Sequence, residues 1–312
     1  MNKKSAGASE RYRYGIGEWY GRSFAKLAPK ERREFAKLQT LAKKDRPDMM
    51  CAPRGGNALC TKDSGVCSLR LYRQDTASGA VSIVSGTSGV LVTTCPCRFD
   101  EGKVIYEWIG EEILGHSDPL VVNEVGFLER NVEQIEYSGY PGREDVGRID
   151  SVLVHPECDP MRWCALEMQA VYFSGSAMSH EYRAIMAYSE DGIPFPAQHR
   201  RPDFRSSGPK RLMPQLQIKV PTLRRWGKKM AVVVDEAFFS ALGKMDSVND
   251  ITSCDIAWFV VKYDEANGDA VLRPDRVHLT TLERAVEGLT TGHAVSLDTF
   301  EARIREKISH IS

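Results

Sequence analysis

The sequence has no uninterrupted apolar stretch of the about 18 residues that a membrane-spanning helix needs. It has no net charge: 42 Lys plus Arg balance 42 Asp plus Glu among 312 residues. Taken as a sum, that argues against a polyanionic partner. It has no internal repeat and no low-complexity tract. Its seven His residues show neither H-x3-H nor HExxH spacing, which excludes the common histidine-based zinc patterns. The opening MNKKSAGASERYRYGIGEWYG is basic but has no apolar centre, so no export signal is expected and the expected location is cytoplasmic. With 42% hydrophobic and 27% charged residues, the chain is too apolar and too balanced to be disordered as a whole. Its length suits one large or two modest domains.

What is present begins with cysteine. Of eight, five fall within residues 51–97: Cys51, Cys60, Cys67, Cys95 and Cys97, with Cys158, Cys164 and Cys254 elsewhere. A reducing compartment makes disulfides unexpected. The first three are separated by small turn residues, as in a loop wrapped around a metal, and thiolates favour zinc or iron. The spacing C-x8-C-x6-C-x27-C matches no standard zinc finger, and buried thiols behaving as small hydrophobes are the competing account.

The hydrophobic periodicity predicts a mixed α/β or α+β chain. Residues 1–48 are basic and helix-prone, with Pro29 near a helix start. SLRLYRQ and VSIVSGTSGVLVTT alternate, and the Gly-Thr-Ser-Gly in the second run predicts a hairpin. EGKVIYEWIGEEILGH is helical. VVNEVGFLER, RIDSVLVH and CALEMQAVYFSG predict three successive strands, followed by helix SHEYRAIMAYSE. KMAVVVD and IAWFVVKYD predict buried strands, EAFFSALGKM a short helix started by Asp235-Glu236, and TFEARIREKISHI a C-terminal amphipathic helix.

The zero sum conceals segregation. Residues 200–229 hold ten Lys or Arg and one Asp, and residues 1–48 hold thirteen basic against six acidic side chains. Residues 101–145 run the other way, with eleven acidic and three basic. A cationic segment with Phe204 and Trp226 interleaved suits phosphate binding through counterion release, although charge runs are commonly solvated faces. Arg205, Lys210, Arg211 and Gln215 are the candidate DNA contacts.

Asp150 lies in RIDSVLVH, and Glu167 and Gln169 lie two apart in CALEMQAVYFSG, sharing a strand face. Polar groups on very apolar strands are costly if merely buried. If the two strands pair antiparallel, Asp150 and Glu167 converge and form an oxygen-rich site for Mg²⁺. Glu124, on the preceding strand, is a further candidate carboxylate.

An Asp on one strand followed by E-x-K on the next is the signature of the PD-(D/E)XK nucleases. Here Gln169 stands where Lys is usual, and Ile149 precedes the Asp instead of Pro. Both departures resemble the NotI-type restriction endonucleases. So do C-x8-C-T-K, G-V-C-S and C-P-x-R-F in the cysteine region, KRLMPQ at 210–215, and the Ser174-Gly175 step. The resemblance runs from about Cys51 to Lys219.

The resemblance implies a type II restriction endonuclease, an α/β (α+β) protein with a PD-(D/E)XK core. It divides the chain into residues 1–100, an N-terminal helical region with a four-cysteine metal module, and residues 101–312, the nuclease core carrying the basic segment 200–229. It assigns Cys51, Cys60, Cys67 and Cys95 to a structural iron (zinc would suit equally) and leaves Cys97 out. It makes Asp150, Glu167 and Gln169 catalytic, with Mg²⁺ on the two carboxylates. It implies Mg²⁺-dependent double-strand cuts at a GC-rich palindrome with a GGCC centre, a homodimer, and a cognate DNA methyltransferase in the same system. The alternatives are a metal-containing DNA-binding protein without catalysis, and a repair or mobile-element nuclease without strict sequence preference.

Overall fold

The computed structural model describes residues 10–129, 145–175, 177–265, 268–290 and 295–309. It is a mixed α/β protein built on two large sheets. The N-terminal sheet contains β1 (Glu10–Trp19), β2 (Arg22–Ser23), β3 (Val66–Asp75), β4 (Val81–Ile83) and β5 (Val92–Thr93). Its order is β2-β1-β3-β4, with β5 also on β3. Helix α1 (Pro29–Thr40) follows β2. Pro29 takes the first helical position, and the Glu31 carboxylate accepts the Ala28 N–H at 2.9 Å.

Two expectations are corrected here. The helix that starts at Pro29 is present as α1, but the N-terminal region is not helical throughout: ERYRYGIGEW forms strand β1, because its apolar residues pack against β3, which overrides the basic, helix-prone composition. Nor do the halves of VSIVSGTSGVLVTT pair with each other. Val81–Ile83 and Val92–Thr93 both pair with β3, and Thr87–Gly89 is a helical turn between them.

The second sheet has the order β13-β12-β11-β8-β7-β6. It is entered through helix α2 (Val104–Ile109). Then come β6 (Leu120–Glu129), β7 (Asp145–Val154), β8 (Trp163–Met168), and a short ladder of β9 (Tyr172–Ser174) with β10 (Arg201–Asp203), between which lies α3 (Met178–Ala187). Helix α4 (Met213–Arg225), β11 (Met230–Asp235), α5 (Glu236–Ala241), β12 (Ile256–Asp264), β13 (Val271–Thr280), α6 (Leu282–Thr290) and α7 (Leu297–Ser309) complete the order. The centre, β8-β11-β12, is parallel, and the flanks are antiparallel.

A parallel strand covered on both faces reads as a continuous apolar run, and every residue of MAVVVD in β11 is buried. Met230, Val232 and Val234 pack with Leu212, Leu216, Val220 and Leu223 from the α4 region. Ala231 and Val233 face the other way, onto Ile105 and Ile109 of α2. The sheet is therefore a middle layer between helices. Helix α4 is terminated just past its last residue by Gly227, whose φ of 66° suits glycine, while Lys228 N–H returns to Leu223 O at 2.8 Å.

The two sheets are joined beside the end of β8. Val171 N–H donates to Thr93 O at 2.7 Å, and Thr93 N–H donates to Asp235 Oδ2 at 2.5 Å. Asp235 also caps α5 through Phe238 N–H at 2.7 Å. Arg98, from the C-P-x-R-F motif, is a second joint. Its Nε lies 3.1 and 3.0 Å from the two Glu18 oxygens on β1, and it donates to Ala270 O at 2.7 Å. Among the described residues no helix is long and apolar enough to cross a membrane.

Candidate active site

Strands β7 and β8 are antiparallel with Ser151 opposite Leu166, so the next step of the ladder sets Asp150 beside Glu167. On β8, Cys164 and Leu166 face the α2 layer, so alternation turns Glu167 toward α4. The two carboxylates differ in environment. The Asp150 side chain is 61% exposed and that of Glu167 only 5%. Burial pushes the Glu167 carboxyl up to about 7; Lys219 opposes the rise and Asp150 adds to it.

Lys219, on α4, was not among the residues singled out from the sequence. Its Nζ donates to Glu167 Oε2 at 2.8 Å and to Gln215 Oε1 at 2.9 Å, and stands 3.8 Å from Asp150 Oδ1. The sequence did carry a signal. Leu212, Leu216, Val220 and Leu223 form a stripe at helical spacing, and Lys219 lies within it, four residues after Gln215. One cation already reaches both carboxylates, so their oxygens suit a small hard cation. Mg²⁺ is commonly held by one or two carboxylates plus water and substrate phosphate.

Gln169 follows the end of β8 and is buried. Its backbone N–H donates to Val233 O at 2.9 Å, and its side-chain amide donates to Ala170 O at 2.5 Å. Glu167, Met168, Gln169 and Ala170 form one wall of a cleft of about 320 Å³, with Tyr172, Arg211 and Gln215 beside them. The cleft also takes Lys62, Thr94 and Pro96 from the cysteine region. Lys62 Nζ is tethered to Thr94 O at 2.6 Å. The Arg211 guanidinium lies over the Tyr172 ring, 3.6 Å from its centroid.

The structure therefore brings together Asp150, Glu167, Gln169, Arg211 and Gln215. Arg205 and Lys210 are exposed on the neighbouring helical turns and do not line the cleft. Glu124 is exposed and ion-paired with Arg148 at 2.8 Å. It sits at φ 58°, between the ladder pairs Asn123–Ser151 and Val125–Ile149.

The cysteines share one neighbourhood. Cys95 N–H donates to Cys67 O at 3.2 Å, and a thiol contact between Cys95 and Cys97 pushes Cys95 up and Cys97 down. Cys97, outside the ligand set that the resemblance implies, also acts on Cys51 and Cys60. Among the described residues, however, no three His, Cys, Asp or Glu side chains are gathered as a group able to hold a metal ion. The sulfurs as they stand do not form a closed ligand shell.

Against known proteins, the model of the restriction endonuclease NotI family matches residues 36–272. That range takes in the cysteine region, both carboxylates, the basic segment and β12. No curated protein gives a match to the chain.

Proposed function

Because the chain belongs to the restriction endonuclease NotI family, and is on that ground a site-specific deoxyribonuclease, we propose that it makes Mg²⁺-dependent double-strand cuts at a GC-rich palindrome, with Asp150, Glu167 and Gln169 as its cleavage residues on a PD-(D/E)XK core. The observation that carries this reading is the Asp150–Glu167 pair on adjacent antiparallel strands, at a cleft walled by Arg211 and Lys62.

Asp150 and Glu167 would hold the Mg²⁺ ion. When bound, it supplies positive charge beside the phosphodiester and lowers the pKa of water. Gln169 carries no charge and is no base. One of its two amide N–H groups is given to Ala170 O, and its amide oxygen is the acceptor that can orient water. Arg211 and Lys62 neutralise phosphates at the cleft, and Arg205 and Lys210 extend the cationic path outside it. Gln215, whose oxygen accepts from Lys219, lines the cleft and keeps its amide N–H groups for DNA.

A palindrome is read by a twofold protein, each copy cutting one strand. In the homodimer a second copy covers the open apolar face where Leu120, Val122 and Val125 of β6 meet Met161 and Trp226. Cys51, Cys60, Cys67 and Cys95 would be the ligands of a structural iron, or zinc, which would fasten the cysteine region beside the cleft. A cognate DNA methyltransferase protects the host's own sites. Family membership tells against a DNA-binding protein without catalysis.

The test is digestion of a long mixed-sequence DNA with Mg²⁺, followed by sequencing of the ends. Discrete fragments with one common terminal sequence are expected, and smearing would refute sequence specificity. Asp150→Ala and Glu167→Ala are expected to bind DNA without cutting; near-parental cleavage by either removes it from the site.

A further inference from the structure

We propose that Lys219 is the positively charged catalytic residue of this site, delivered from helix α4 to do what a strand lysine does in E-x-K nucleases. The inference rests on the reading of Asp150 and Glu167 as the cleavage pair. The strand position holds Gln169, which is neutral and gives one amide N–H to Ala170 O. Among the described residues, the ion pairs of Asp150 and Glu167 are both with Lys219, at 3.8 and 2.8 Å.

Burial argues that this charge is not there for packing. The Lys219 side chain is 7% exposed, on a stripe otherwise made of Leu212, Leu216, Val220 and Leu223. An ammonium in such a place costs desolvation that an apolar residue would avoid, and buried ion pairs are often no more stable than apolar replacements. Of its three N–H groups, one is given to Glu167 and one to Gln215. Asp150 Oδ1 lies beyond hydrogen-bond length, so the third N–H remains for a phosphate oxygen approaching the carboxylate pair.

In the step itself, a water oxygen bonds to phosphorus and the P–O bond to the leaving sugar oxygen breaks. One water proton passes to solvent and the leaving oxygen takes one up. Lys219 exchanges no proton in this step; its ammonium offsets the negative charge that grows on the phosphoryl oxygens.

The test compares the parent with Lys219→Met, the double variant Gln169→Lys/Lys219→Met, and Asp150→Ala. Single-turnover cleavage is followed first on a mixed-sequence plasmid, then on a fluorescein-labelled duplex carrying the site mapped from its fragments. Lys219→Met is expected to cleave about 10²- to 10³-fold more slowly, the loss typical of one transition-state donor. Returning the charge to the strand in the double variant is expected to recover about tenfold or more of that rate. A second readout needs no metal. In EDTA, the slope of log Kd for the duplex against log salt is expected to fall by about 0.9 for each phosphate that the variant no longer neutralises. Lys219→Gln keeps a hydrogen-bond donor for Glu167, carries the same expectations, and serves where Lys219→Met does not fold.

A folded Lys219→Met with the parental rate overturns the proposal. So does a slow variant with an unchanged salt slope and no recovery in the double variant, since Lys219 is then structural. If Asp150→Ala is inactive while Lys219→Met is parental, only this inference falls. If Asp150→Ala still cuts, the cleavage-site reading falls with it.

Discussion

Replacing Arg98 with Met probes the joint that holds the N-terminal sheet to the catalytic layer. Arg98 and Glu18 are 2% and 1% exposed. The guanidinium bonds both Glu18 oxygens, contacts Glu101, donates to Ala270 O, and lies 4.8 Å from the centroid of the Tyr263 ring. Ser68 Oγ gives Glu18 one further hydrogen bond at 2.8 Å. Arg98→Met keeps most of the side-chain volume but leaves Glu18 with Ser68 alone, so burial drives that carboxyl toward its neutral form. Breaking one side of a buried pair costs about 3–5 kcal/mol. At about 2.1 cal/mol/K of unfolding entropy per residue, 312 residues give about 0.65 kcal/mol/K, so the melting temperature falls by about 5–8 °C.

Glu18→Gln is expected to cost less, about 1–3 kcal/mol, because Arg98 retains Glu101 and Ala270 O. The double variant removes both charges, and its cost is expected to fall short of the sum of the singles by more than about 1 kcal/mol. Urea unfolding followed by tryptophan fluorescence, with calorimetry alongside, measures all three. An Arg98→Met cost below about 1 kcal/mol, or strict additivity, would refute the view that this pair is coupled and fastens the two sheets.

Asp235→Ala removes the cap of α5 and the acceptor for the buried Thr93 N–H, and is expected to cost about 2–4 kcal/mol by denaturant unfolding; a loss below about 1 kcal/mol would contradict the shared role. Cys60→Ser is expected to release iron or zinc and lower the melting temperature, and unchanged metal content by elemental analysis would sink the cysteine-site assignment. Burial holds the His278 pKa below its usual value, with Nε2 3.1 Å from Met245 O. A depressed folded pKa contributes stability above the unfolded value of about 6.5, and that contribution is lost as pH falls through the folded value. Melting of the parent is therefore expected to drop more than that of His278→Gln between about pH 7.5 and 5.5; parallel curves would count against it.

Much of the central layer was legible in local pattern. Short, Val-rich apolar runs such as MAVVVD and IAWFVVKYD suit strands covered on both faces, and the D-x16-E spacing suits two paired strands with a turn between them. The segregation of charge along the chain also follows from sequence, because charge counts need no geometry. The strand nature of Glu10–Trp19 was not legible, since only its partner β3 makes an extended conformation favourable for that composition. The same holds for β4 and β5, whose common partner lies elsewhere in the chain.

At the site, sequence determined which side chains share a strand: Glu167 with Gln169, and Asp150 one strand earlier. Tertiary structure alone decided what faces them. Lys219 is 52 residues beyond Glu167, and Lys62 comes from the cysteine region on the opposite side in the chain. A strand's alternation is a local property of its backbone, whereas the identity of the cation beside a buried carboxylate depends on which helix packs over that face. Burial then selects among the chain's 42 cations the one whose ammonium can be compensated there.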